Sequence, residues 1–139
     1  MSFASKHKRE KGNFISKKNA YKVFGEDYLY RVTNVMFRKD QFASEPIPHV
    51  TVYLPEGFEY EDGQDKIRTC EPGEYIIKLS DDMTDEITDI LGDPDSMSDI
   101  THGLVGMRIY KYLNANLNKM CYGITWVDVD EEGNEVFEG

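Results

Sequence analysis

Gly103–Val129 reads GLVGMRIYKYLNANLNKMCYGITWVDV, and its alternation decides the fold. Leu104–Leu113 and Met120–Val129 both carry the period of two that marks a strand, and Asn114–Asn118, with asparagines at 114, 116 and 118, supplies an αL-tolerant turn between them. In the first strand Arg108, Tyr110 and Tyr112 share one face, while Val105, Met107 and Ile109 share the other. In the second, Tyr122, Ile124 and Trp126 fall on one side, and Cys121, Gly123, Thr125 and Val127 on the other. A face that alternates a cation with rings suits unstacked bases, because any base stacks on a ring and a guanidinium meets phosphate. Arg108, Tyr110 and Tyr112 are therefore the first candidates for nucleic-acid contact, with Lys111 and Trp126 beside them.

Upstream of this hairpin, Tyr28–Phe37 (YLYRVTNVMF) is strand-like, with Leu29, Thr33, Val35 and Phe37 alternating against Tyr30, Val32, Asn34 and Met36. Large apolar groups on both faces predict a long central or curling strand, with Arg38 just beyond it as a further candidate contact. Pro46 and Pro48 mark the loop 40–48, and His49–Leu54 follows as a strand with Val50, Val52 and Leu54 inward and Tyr53 outward. Tyr53 joins the candidate contacts. Pro55–Asp65 reads as an exposed acidic loop, and Glu74–Leu79 as a strand entered through Pro72-Gly73, with a paired piece at Lys66–Cys70. Ser80 then caps one helix, whose Met83, Ile87, Ile90 and Leu91 form a stripe that Gly92 and Pro94 end. Asp93–His102 is expected to be a polar connection. The predicted order is strand, strand, strand, helix, strand, strand. That order is the five-stranded OB-fold-like Greek-key barrel, a mainly β fold with one helix between strands 3 and 4.

The formal charge of −10 hides a division along the chain. Residues 1–40 hold 10 Lys+Arg against 4 Asp+Glu, a net +6, which leaves 6 against 22, a net −16, for residues 41–139. Three regions follow: a basic flexible arm over 1–20, an OB-fold-like domain over 21–129, and an acidic tail over 130–139. Lys17 and Lys18, with Lys6, Lys8, Arg9 and Lys11, are expected to give the arm its pull on a phosphate backbone. In the tail, Glu132, Glu135 and Phe137 are candidate partner-binding residues, since an acidic segment with a ring docks on a basic patch or folds back on its own groove.

With 139 residues, 40% of them hydrophobic, the chain holds one domain's worth of core. No run has the length of a membrane span, and the polar, basic start signals neither insertion nor secretion, so a cytoplasmic location is expected. Cys70 and Cys121 lie on separate predicted strands without a CxxC, which favours reduced thiols. The three histidines are scattered, and no Gly-rich phosphate loop, GxSxG or HExxH occurs. DPDSMSD at 93–99 lacks the closing glutamate of a calcium loop. No catalytic residue, metal or cofactor is expected, and the chain does not read as an enzyme.

With YLYRVTNVMF as first strand, GLVGMRIYKYL leading into NKMCYGITWVDV, and the tail DVDEEGNEVFEG, residues 25–139 resemble the single-stranded DNA-binding proteins of bacteriophages in architecture. The resemblance implies sequence-independent binding of single strands in replication and recombination, frequent homo-oligomers, and an acidic tail that contacts replication or recombination proteins. Tails of that group typically end on an aromatic residue, whereas Phe137 here is followed by Glu138 and Gly139. Two other functions fit the same sequence. One is an acidic nucleic-acid mimic that inhibits a host nucleic-acid-binding protein, motivated by the body's charge of −16. The other is a structural or assembly protein.

Overall fold

The computed structural model describes residues 13–39, 44–61 and 66–137. Among the described residues eight strands run β1 Asn13–Phe14, β2 Tyr30–Arg38, β3 Ile47–Leu54, β4 Phe58–Glu61, β5 Ile67–Cys70, β6 Gly73–Lys78, β7 Val105–Asn114 and β8 Lys119–Asp128. Three α-helices accompany them: α1 Lys17–Phe24, α2 Thr84–Gly92 and α3 Pro94–Thr101, with a 3-10 turn at Asp81–Met83 leading into α2. Six strands form one open sheet in the order β1-β6-β3-β2-β7-β8, while β4 and β5 make a separate hairpin. β1 runs parallel to β6, and every other neighbouring pair is antiparallel. No helix among the described residues is long and apolar enough to cross a membrane.

All three helices pack on one face of the sheet. Ala20 of α1, Ile87 of α2 and Ile100 of α3 meet Val32, Val50, Ile77, Met107 and Ile109 in one buried cluster. β2 reaches this core on both sides of a bulge between Val32 and Asn34. The extra residue reverses the alternation, so that Tyr30, Val32 and Val35 are all buried and Thr33 no longer shares a face with Val35. The bulge thus accommodates the large apolar residues that the sequence places on both faces of this strand.

The predicted barrel is not closed among the described residues, since β1 and β8 stand at the two edges of the sheet. Helix content also differs from the expected single helix. Asp93–Thr101 is not a connection: Pro94, which ends α2, occupies the first turn of α3, where its missing N–H costs nothing, and Asp93 caps that helix. The Asp93 carboxylate accepts from the Ser96 hydroxyl at 2.6 Å and from the Asp95 amide at 3.2 Å, which holds its pKa below the ordinary value.

The expected arm boundary at residue 20 falls inside α1. Residues 1–12, with Lys6, Lys8, Arg9 and Lys11, lie outside the described residues, but Ile15 and Ala20 are buried in the core. α1 begins where the Ser16 hydroxyl accepts from the Asn19 amide and ends at Gly25, whose φ is +84°. Likewise, Pro55–Asp65 is more than a loop, because Phe58–Glu61 pairs with β5 and buries Phe58 against Phe24 and Tyr75.

Candidate nucleic-acid interface

On the side of the sheet away from the helices, the register places side chains in rows across the strands. Glu74, Tyr53, Arg31 and Gly106 are successive cross-strand partners, and Arg108 follows Gly106 two residues along the same face of β7. Tyr110 and Tyr112 continue that line, with ring centroids 5.7 Å apart. Tyr53, Tyr110 and Tyr112 are 42%, 38% and 40% exposed, so their rings are open to a ligand. The Tyr110 ring lies across Gly123 of β8, where any Cβ would collide with it. That glycine gives the ring a flat seat.

Arg108 is occupied. Its Nη1 and Nη2 donate to the two carboxylate oxygens of Glu135 at 3.1 Å each, and Nε donates to the Asp27 carbonyl at 3.4 Å. The pairing with Glu135 raises the pKa of the guanidinium. Glu135 reaches this position because the tail turns back: Asp130 Oδ1 accepts from the amides of Glu132 and Asn134, Gly133 takes φ +87°, and Val129 bridges Glu135. Of the candidate partner-binding residues, Glu132 is exposed, Phe137 is 78% exposed, and Glu135 is engaged on the face itself.

The remaining candidates divide. Arg38 stands over the Phe14 ring at 5.0 Å, at the far end of this face. Trp126 does not belong to the face, for it pairs with Met107 and its Nε1 donates to Glu86 at 2.8 Å on the helix side. Lys111, paired with Tyr122, also falls on the helix side by alternation with Ile109. Lys18 is exposed on α1, which packs against that side.

Lys17 is a tie between elements, since Nζ donates to Ser80 Oγ and to the Tyr122 carbonyl at 3.0 Å each. Burial lowers its pKa, opposed by the charge of Asp82. Lys17→Met keeps the aliphatic stem but leaves both acceptors without this donor. A loss of about 1–2 kcal/mol is expected in urea unfolding, and an unchanged midpoint would contradict the structural role.

Arg31 is the cation of this face that sequence inspection missed. Its position on the face becomes visible only when β2 is paired with both β3 and β7. Charge separates across the sheet. The helix side holds a cleft of about 640 Å³ lined by Trp126 and by carboxylates including Asp82, Asp85, Glu86, Asp89 and Asp128. The opposite face presents Arg31, Arg38, Lys78 and Arg108 against Glu74 and Glu135. Compared with known proteins, the chain matches no family model, no curated protein and no solved structure.

Proposed function

We propose that this protein binds single-stranded DNA without sequence preference across the face formed by β3, β2 and β7. The observation that carries the reading is the row of exposed rings, Tyr53, Tyr110 and Tyr112, interleaved with Arg31 and Arg108 on the side opposite the acidic cleft. Rings supply stacking and guanidinium groups supply phosphate contacts, while the carboxylates of α2 and α3 sit behind the sheet, away from a polyanion. Strand order supports an OB-like reading. β7 returns through two helices to lie beside β2, giving the Greek-key order fourth, first, second, third for β7-β2-β3-β6, with β8 added outside.

Within this reading the protein acts in phage or mobile-element replication or recombination, in the cytoplasm, with Phe137 and its neighbouring acids as a docking site for a partner protein. The hairpin tip, where Leu113, Leu117 and Met120 are exposed, is a surface through which copies could associate.

Fluorescence anisotropy with oligo-dT tests the proposal. Micromolar or tighter binding is expected at 50 mM salt, with log affinity falling linearly against log salt as counterions are released, and duplex of equal length should bind less well. Absence of binding at 50 mM salt would refute it. The second reading, an acidic mimic that blocks a host nucleic-acid-binding protein, would then gain, and the carboxylate-lined cleft is the observation in its favour.

A further inference from the structure

Between the β2–β3 pair and the C-terminal end of α3 lies a cavity of about 370 Å³. Arg31 and Tyr53 stand directly opposite each other at its base, and Thr101, His102 and Gly103 form the wall. No carboxylate lines it, in contrast to the cleft on the helix side. The guanidinium of Arg31 lies over Gly103, where any Cβ would collide with it and where φ is +72°. Arg31 is thereby seated at the carbonyl end of α3, where the helix dipole favours a cation.

Among the described residues Arg31 makes no hydrogen bond or ion pair, so its planar fork of donors is available to a ligand. His102 Nδ1 is held 2.7 Å from the Ser98 carbonyl, which leaves Nε2 as the free edge of the ring.

We propose that this cavity takes one nucleotide of the bound strand, with its phosphate on the Arg31 guanidinium and its base against the Tyr53 ring. The inference rests on the single-strand reading above and extends that site beyond the hairpin. Arg31 is paired across to Gly106, and Gly106 precedes Arg108 by two residues, so a strand lying along Tyr112, Tyr110 and Arg108 runs on to Arg31 and Tyr53. The whole path spans roughly 30 Å, at about 3.3 Å per residue along β7 and about 4.8 Å between strands.

The test is anisotropy with oligo-dT of graded length at 50 and 200 mM salt, using the full chain and the variants Arg31→Ala, Arg31→Lys and Tyr53→Ala. Loss of one phosphate contact should flatten the salt slope of Arg31→Ala by about 0.7, and Arg31→Lys should restore it. Tyr53→Ala should weaken binding by about fivefold or more, and should reach its full affinity on a shorter oligonucleotide than the parent protein. A purely structural Arg31 at the end of α3 would change thermal stability without altering slope or length dependence.

Parental slope and length dependence in all three folded variants would overturn the subsite while leaving the function intact, provided Tyr110→Ala still weakens binding. Failure of the parent protein to bind oligo-dT would overturn both.

Discussion

Tyr110→Ala is expected to weaken oligo-dT binding by about 1–3 kcal/mol, roughly 5- to 150-fold, with the protein folded and its melting temperature little changed. The ring is 38% exposed and leans on Tyr112 and on the backbone at Gly123, so its removal opens no cavity in the core. A base that stacks on Tyr110 loses its whole platform, whereas a phosphate contact elsewhere loses only one increment of charge. Gly123→Ala examines the same site without deleting the ring, because the new methyl pushes Tyr110 off its seat. Both variants should bind more weakly, and both should keep the parental salt slope, since neither removes a cation. Parental affinity in folded Tyr110→Ala would take this ring out of the site.

Freeing Arg108 from the tail should act in the opposite direction. Glu135 holds both terminal nitrogens of Arg108 with side chains 31% and 28% exposed, so the pair is of the partly screened kind, worth about 0.2–1 kcal/mol. A phosphate must displace that carboxylate before it meets the guanidinium. Glu135→Gln is therefore expected to tighten oligo-dT binding by about two- to fivefold at 50 mM salt, and by less at 200 mM as screening grows. Removing residues 130–139 should tighten it further, because Asp130, Glu131, Glu132 and Glu138 leave as well. Truncation also removes the turn that pairs with Val129, so the point substitution is the cleaner measurement. Equal affinities for Glu135→Gln and the parent at low salt would exclude competition by the tail.

Much of the sheet was legible because alternation survives in the sequence wherever one face is buried. The side-chain parity of Arg108, Tyr110 and Tyr112 follows directly from that of Met107 and Ile109. Trp126 is misplaced by the sequence reading, although the strand ends set Leu113 opposite Met120 and the same ladder carries Met107 opposite Trp126, on the helix side. At β2 the alternation misleads after Val32, because a bulge leaves no signature of its own in a run of β-branched and aromatic residues.

The short helices were harder to find for a different reason. α1 and α3 have 8 residues each, barely two turns, so an apolar stripe such as Ala20, Val23 and Phe24 has no room to repeat and their ends mark them more clearly: Ser16 and Gly25 for one, Asp93-Pro94 for the other. Pro94 both stops α2 and starts α3, and only the stop shows in the sequence pattern. Periodicity alone does not single out Arg31, because what makes it a candidate is its neighbours on two other strands and the glycine at the end of α3.

The sheet's continuity rests on a narrow joint. β7 and β8 share ten pairs, yet β7 is sewn to β2 through two, Tyr30–Met107 and Arg31–Gly106. Considered as a mechanical object, the sheet is a plate and a ribbon that meet at this joint, and α1 is one brace between them. Lys17 grips the backbone at Tyr122, and the Tyr21 ring leans on the Tyr122 ring at 5.4 Å. The angle of the ribbon sets the spacing between Arg31 on the plate and Tyr110 on the ribbon. On the single-strand reading, a change that slackens this brace alters the pitch of the proposed track without touching any residue on it.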